Sequence, residues 1–146
     1  MSLTGKERKL NGHDFLSLYD DVTKRIELNR ESMLRAERRA AGMGEKAEKW
    51  AADYQDKLYE ENEELIRIRY MIESAINNCR CSETERCVLF KRYIQGQKWK
   101  VIADEMLYSV QHLHRLNRSA LMKVIVPDKW QSDGSCDKKR AFFIYN

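Results

Sequence analysis

Residues 82–124 read SETERCVLFKRYIQGQKWKVIADEMLYSVQHLHRLNRSALMKV, and this stretch decides the fold. Its apolar residues recur at intervals of three and four, in three short runs that polar turns separate. This periodicity predicts three helices, which together can enclose one small core. Ser82 and Glu85 form the S-x-x-E capping box that begins the first helix, over residues 83–94. Gly96 ends it, because glycine readily adopts the left-handed conformation found after helices.

The second and third helices are joined by a very short connection at residues 107 and 108, so they must meet at a steep angle. The second helix carries its apolar face on Trp99, Ile102, Ala103 and Met106. The third begins after the N-cap residue Ser109, and its stripe is Leu113, Leu116, Ala120, Leu121 and Val124. This pair of helices is typical of a helix-turn-helix DNA-binding motif.

The opposite face of the third helix contains no acidic residue and presents hydrogen-bond donors: Gln111, His112, His114, Arg115, Arg118 and Lys123. We predict that Gln111 and Arg115 contact base edges, since Gln pairs well with adenine and Arg with guanine; His114 and Arg118 join them. We predict that the phosphates are contacted by Lys98, Lys100, Ser109, His112 and Lys123.

The run LFKRYIQGQKWKVIADEMLYSVQHLHRLNRSALMKV resembles region four of bacterial sigma factors. Its R-Y-I, G-x-x-W, I-A-x-x-M, Y-S and A-L elements are more similar to the sigma-like domain of phage late-transcription regulators of the ArpU/RinA type. The resemblance implies base contacts at Val110, Gln111, His114 and Arg115, and phosphate contacts near Lys98, Lys100 and Ser109. Val110 departs from the polar or basic residue usual in sigma factors, so a different DNA sequence is expected.

Charge is concentrated in the same stretch. Residues 82–124 contain eight Lys or Arg and four Asp or Glu, whereas the rest of the chain contains nineteen of each, so the whole net charge of +4 lies here. A basic segment of this kind predicts a polyanionic partner, and we expect double-stranded DNA.

Cofactors, metals and membranes are not expected. The spacing of Cys79, Cys81, Cys87 and Cys136 does not fit a zinc site, and His112 and His114 diverge by about 200° on a helix. No apolar run approaches the roughly 18 residues of a membrane span. We therefore expect a cytoplasmic protein of a bacterial host, with reduced thiols and no bound metal.

Two long helices are predicted before residue 82, separated by a break at Gly42-Met43-Gly44. The first runs from Asp14 to Ala40, after a dozen residues without periodicity. The second, over residues 45–78, repeats on a seven-residue frame, with Glu61 interrupting its seam. The seam residues are Tyr54, Leu58, Leu65, Ile68 and Ile72. They predict an intramolecular helical hairpin, a homodimer, or both.

The predicted protein is therefore all-α: a helical hairpin or coiled-coil stalk over residues 1–78, a helix-turn-helix headpiece over 82–124, and a tail over 125–146. The aromatic end of the tail, residues 142–145, either packs back on the chain or docks on a partner such as RNA polymerase.

No catalytic constellation is present, so we do not expect an enzyme. We expect a sequence-specific transcription regulator, by resemblance a phage or prophage late-gene activator. The alternatives are a packaging-initiation protein resembling a small terminase subunit, and an interaction protein that binds RNA polymerase. Oligomer size separates the terminase alternative, which forms a large ring, from a monomeric or dimeric regulator.

Overall fold

The computed structural model describes residues 11–128, and every regular element in this range is a helix, as predicted. The elements are α1 (Gly12–Ala40), α2 (Glu45–Asn77), α3 (Glu83–Leu89), a π-helical segment (Phe90–Ile94) that continues α3, α4 (Trp99–Met106) and α5 (Val110–Leu121). None of these helices is both long enough and apolar enough to cross a membrane.

The described residues form two compact units. Residues Asp21–Tyr70 make one, and residues 11–20 together with 71–128 make the other. This division differs from the predicted boundary at residues 78–82. The reason is that the first turns of α1 and the last turns of α2 pack with the short helices, as the contacts described below show.

In the Asp21–Tyr70 unit, α1 and α2 run antiparallel after the chain reverses at Gly42 and Gly44, whose φ angles are 75° and 103°. L side chains rarely adopt such positive φ values, so glycine suits both positions. The buried apolar residues are Val22, Ile26, Ala36 and Ala40 on α1, and Ala51, Leu58, Leu65 and Ile68 on α2. Three of the five predicted seam residues, Leu58, Leu65 and Ile68, are therefore buried within this unit.

The centre of this helix pair is polar. Asn29 and Asn62 are both buried, and the Asn29 Nδ2 donates to Asn62 Oδ1 at 2.8 Å and to Glu61 Oε1 at 2.7 Å. Arg25 Nε lies 3.1 Å from the same Glu61 oxygen. Glu61 thus closes a polar contact between the helices. A buried amide pair of this kind favours one register of two helices over others.

Tyr54 is the predicted seam residue that does not join the buried row. Its side chain remains 36% exposed and stacks on Trp50, with ring centroids 5.6 Å apart. Ile72, by contrast, is fully buried, but in the unit that contains residues 71–128.

In that second unit, α1 begins two residues earlier than predicted. The Asn11 side chain caps the helix by accepting the Asp14 N–H at 2.8 Å. Gly12 approaches α5 so closely that a Cβ would lie 2.8 Å from the Leu121 carbonyl oxygen. Only glycine fits this contact without displacing the backbone of α5.

Helices α3, α4 and α5 enclose the small core predicted for residues 82–124. Val88, Ile102, Ala103 and Leu113 are its buried members, and Trp99, Met106 and Leu116 pack against it. The predicted capping box is present: Ser82 N–H donates to Glu85 Oε1 at 2.9 Å, and Glu85 N–H donates to Ser82 Oγ at 3.1 Å.

The end of α2 is held by a side chain from α3. The Arg86 guanidinium donates to the carbonyl oxygens of Ile76 at 2.6 Å, Asn77 at 2.9 Å and Cys79 at 3.0 Å. The last carbonyls of a helix lack intrahelical partners, and Arg86 supplies a charged donor to those of Ile76 and Asn77. The Ile76 oxygen also accepts the Cys79 N–H at 3.2 Å.

The chain after α5 passes beside α2. Val126 is buried, and Ile125 and Pro127 line a groove of about 310 Å³ with Met71 and Cys79. The aromatic residues 142–145 lie outside the described residues.

Candidate nucleic-acid interface

The turn between α4 and α5 sets the direction of α5. Leu107 takes a left-handed conformation, with φ 60° and ψ 39°, and the N–H groups of Leu107 and Tyr108 both bond to the Ala103 carbonyl. Ser109 then caps α5, as predicted, by accepting the His112 N–H at 3.0 Å. The two helices are thereby joined through a connection too short to let them run side by side.

One face of α5 is buried and the opposite face is open. Leu113, Asn117 and Ala120 are buried against the core. At 100° per residue, the row opposite them is Gln111, Arg115 and Arg118, spaced by four and three residues, and all three side chains are exposed. The structure therefore brings together three of the four polar residues that we predicted to contact bases. Val110 is 37% exposed at the start of the helix.

His114 occupies a different position from these three residues. Its half-buried ring packs on Trp99 of α4, with ring centroids 4.9 Å apart, and the Arg92 guanidinium lies 4.8 Å from the centre of the Trp99 ring. Arg92 also donates to the Gln97 carbonyl at 3.0 Å. Trp99 thus packs against the core, as predicted, and in addition links α4 to the side of α5.

Three of the four acidic side chains in residues 82–124 form ion pairs. Glu83 pairs with Arg86, Glu85 with Lys123, and Glu105 with Lys91. The fourth acid, Asp104, is exposed. Among the described residues, the bases of this stretch that make no ion pair are Arg92, Lys98, Lys100, Arg115 and Arg118. The unpaired positive charge is therefore concentrated on α4, α5 and the segment just before α4.

Lys123, predicted to contact phosphate, also joins two helices of this stretch. Its Nζ lies 2.9 Å from Glu85 Oε1 and 3.2 Å from Oε2, so it ties the end of α5 to the start of α3. The Ser119 hydroxyl, the Ser82 N–H and Lys123 together hold the pKa of Glu85 at about 2. Each of these groups stabilises the carboxylate form.

The Lys91 and Glu105 pair is also mutually stabilised. Their side chains meet at 2.7 Å, and this hydrogen bond raises the pKa of Lys91 and lowers the pKa of Glu105. Gln97 Nε2 adds a contact to the second Glu105 oxygen at 3.3 Å. Glu105 on α4 is consequently neutralised by a base from the π-helical segment.

The remaining predicted phosphate contacts lie at the starts of α4 and α5. Lys98, Lys100 and Ser109 are exposed, and the backbone of Lys98 is the N-cap of α4. His112 is half-buried, with its ring against Tyr108 at 4.8 Å between centroids. Free N–H groups at helix starts favour anions, which suits phosphate at both helix starts.

Sequence reasoning missed a polar chain beneath α5. The buried Tyr93 hydroxyl lies 3.2 Å from Asn117 Oδ1 and 3.1 Å from His13 Nδ1. Burial raises the pKa of Tyr93, so the hydroxyl stays protonated and donates to Asn117. Asn117 on the apolar stripe of α5 was the available signal, because a buried amide requires a partner.

The cysteines of this unit are thiols in different environments. Cys79 is buried, whereas Cys81 and Cys87 are half-buried. Burial, together with the neighbouring Cys81, raises the pKa of Cys79 to about 11. Within residues 11–128, no group of three or more Cys, His, Asp and Glu side chains is placed to hold a metal ion.

Comparison of the chain with family models, curated proteins and solved structures finds no significant match.

Proposed function

We propose that this protein is a sequence-specific DNA-binding transcription regulator whose α4 and α5 act as a helix-turn-helix. The observation that carries the proposal is the distribution of charge around α5. Its open face contains Gln111, Arg115 and Arg118, contains no acid, and lies beside bases that form no ion pair among the described residues. The full layout proposed is a helical hairpin joined to this headpiece.

The chemistry of this face suits the major groove of duplex DNA. An α-helix fits that groove, and Arg and Gln form paired hydrogen bonds with guanine and adenine edges there. Lys98, Lys100 and the start of α5 then contact phosphates on the same duplex. His114 packs on Trp99 and so helps to fix the orientation of α5 on α4. We expect it to make fewer base contacts than Gln111 and Arg115.

The resemblance to sigma region four and to the ArpU/RinA-type regulators supports the same function, with a late-gene promoter of a phage or prophage as the expected target. We propose further that the protein is not an enzyme, that it acts in the bacterial cytoplasm, and that it binds double-stranded DNA, with RNA polymerase as a further partner.

Selection of bound sites from random duplex DNA tests this function. We expect one short motif to be enriched by the wild-type protein. We expect Gln111→Ala to relax the preference at one base position, because the amide that reads that base is removed. Recovery of no motif above the random background by a folded protein would contradict the proposal.

The mass of the protein in solution provides a second readout. A regulator of this kind is expected as a monomer or a dimer, whereas a protein resembling a small terminase subunit forms a large ring. A ring of many subunits would favour packaging initiation over transcription regulation.

A further inference from the structure

Helix α2 carries a second apolar row besides the one that packs within the chain. Tyr59, Ile66 and Tyr70 are 62%, 43% and 72% exposed. With Glu63 they occupy alternating intervals of four and three residues, which is the spacing of a coiled-coil seam. We call residues 59, 63, 66 and 70 the outer α2 row.

The outer α2 row faces away from α1. At 100° per residue it lies about 110° around the helix from the buried row of Ala51, Leu58 and Leu65. The intramolecular pairing therefore leaves it open. Three large apolar side chains on one open helix face are unusual for a surface with no partner.

Charged residues of opposite sign flank the row. Glu60 and Arg67 occupy equivalent places in the seven-residue frame, one position after Tyr59 and Ile66 respectively, and both are exposed. Arg67 Nη1 lies 3.0 Å from Glu64 Oε2, in a pair whose side chains are 68% and 42% exposed. Exposed pairs of this kind contribute little free energy, so Arg67 can exchange Glu64 for another acid.

Two copies of this helix face bring opposite charges together only if the two helices run antiparallel. If two copies of α2 pack in parallel, Glu63 meets Glu63, and Glu60 and Arg67 lie beside Gln55 and Asn62 of the other copy, so no opposite charges meet. If they pack antiparallel about a point between Glu64 and Leu65, Arg67 of each copy meets Glu60 and Glu63 of the other. The same arrangement places Tyr59 opposite Tyr70, and Glu63 opposite Ile66.

We propose that the chain binds a second copy of itself through the outer α2 row, with the two α2 helices antiparallel and related by a two-fold axis. A two-fold contact is closed, so association stops at a dimer. This surface is distinct from the predicted seam, whose Leu58 and Leu65 pack inside the chain. The proposal does not rest on DNA binding.

Sedimentation equilibrium of the full chain without DNA tests the proposal. We expect the mass to rise from 17.4 kDa towards twice that value as the concentration increases from about 1 µM to about 500 µM. A mass that stays at the monomer value throughout this range would overturn it.

Two substitutions identify the surface. Ile66→Ser removes an apolar contact and Arg67→Glu places like charges together, and each should raise the dissociation constant by about tenfold or more. Both residues are exposed, so helix content by circular dichroism should be retained. Leu28→Ser and Arg35→Glu are matched controls on α1, where Leu28 is 52% exposed and Arg35 is also exposed, and should leave the constant unchanged.

The orientation is tested by exchanging the charges. Glu60→Arg combined with Arg67→Glu should recover part of the affinity lost in Arg67→Glu alone, because positions 60 and 67 again carry opposite charges across the antiparallel contact, while Glu63 still faces a like charge. Undiminished dimerisation of both single variants, or a double variant no tighter than Arg67→Glu, would overturn the proposed contact.

Discussion

In the Asp21–Tyr70 unit, two long helices are joined by a row of apolar side chains with one buried amide pair at its centre. In residues 82–124, three helices of seven, eight and twelve residues share a small core, and charged side chains secure their ends. Helices this short are marginal by themselves, so their caps and ion pairs carry a larger part of their stability. A domain of short helices can therefore use its acids in internal ion pairs and leave unpaired bases exposed.

The first test of this comparison replaces the most deeply buried leucine of the Asp21–Tyr70 unit. Leu65 is 1% exposed, and Leu65→Ala should lower the free energy of unfolding by about 2 to 5 kcal/mol, from lost burial and the cavity that remains. Leu34→Ala, at a position 55% exposed, is the control and should change it by less than about 0.5 kcal/mol. Equal effects in urea denaturation would mean that the apolar row does not hold the unit.

The second test removes the charged side chain that caps α2. Arg86→Ala should lower the free energy of unfolding by less than Leu65→Ala does and by more than Arg80→Ala does, since three carbonyl oxygens lose a charged donor. Arg86→Lys should recover only part of this, because one ammonium group cannot span the three carbonyls. Arg80→Ala, at an exposed position, is the control for charge. If the Arg86→Ala and Arg80→Ala variants were equally stable, capping by a charged side chain would not set residues 82–124 apart from the Asp21–Tyr70 unit.

Acid provides the third test, through Glu85. Its pKa is about 2 in the folded protein against an ordinary value of 4.5, so its contribution to stability is present above about pH 4.5 and is lost as the pH falls towards 2. Glu85→Gln should cost about 2 kcal/mol at pH 7 and lack this part of the acid dependence. Thermal unfolding of both proteins from pH 7 to pH 3 measures the difference, which should shrink below pH 4.5. A constant difference would show that the carboxylate charge is not what stabilises the contact.

The smallest effect is expected at the turn between α4 and α5. Leu107 is 89% exposed with a φ of 60°, so Leu107→Gly relieves backbone strain without loss of packing. The gain is partly offset by the greater freedom of glycine in the unfolded chain, which leaves a net stabilisation below about 1 kcal/mol. Val101→Gly, inside α4, should instead destabilise by about 1 kcal/mol. Destabilisation by both substitutions would place Leu107 in an unstrained turn.

The sequence predicted the helices well where apolar residues recur at regular intervals or where a capping residue marks the start of a helix. The bounds of α4, the Ser109 cap and the Ser82 and Glu85 capping box all follow from local chemistry, and the structure contains each of them. Leu58 and Leu65 were likewise identified by the seven-residue repeat.

Contacts between residues far apart in the chain could not be predicted in this way. Arg86 as the cap of α2, Lys123 as the partner of Glu85, and the close approach of Gly12 to α5 depend on the tertiary arrangement. Periodicity indicates only which residues share a helix face, so it could not show that Lys123 pairs with Glu85. For the same reason the packing of His114 on Trp99 was not predicted, because it is a contact between two helices.

The proposed function requires the open face of α5 to contact DNA bases while the start of α4 contacts phosphates. It is tested by measuring binding to the selected site and to random duplex over a range of salt concentrations. Arg115→Ala should lose about 1 to 3 kcal/mol on the selected site and much less on random DNA, whereas Lys100→Ala should weaken both alike and reduce the salt dependence by about one counterion. Folded Arg115→Ala and Lys100→Ala variants that keep full affinity for the selected site at every salt concentration would contradict the account.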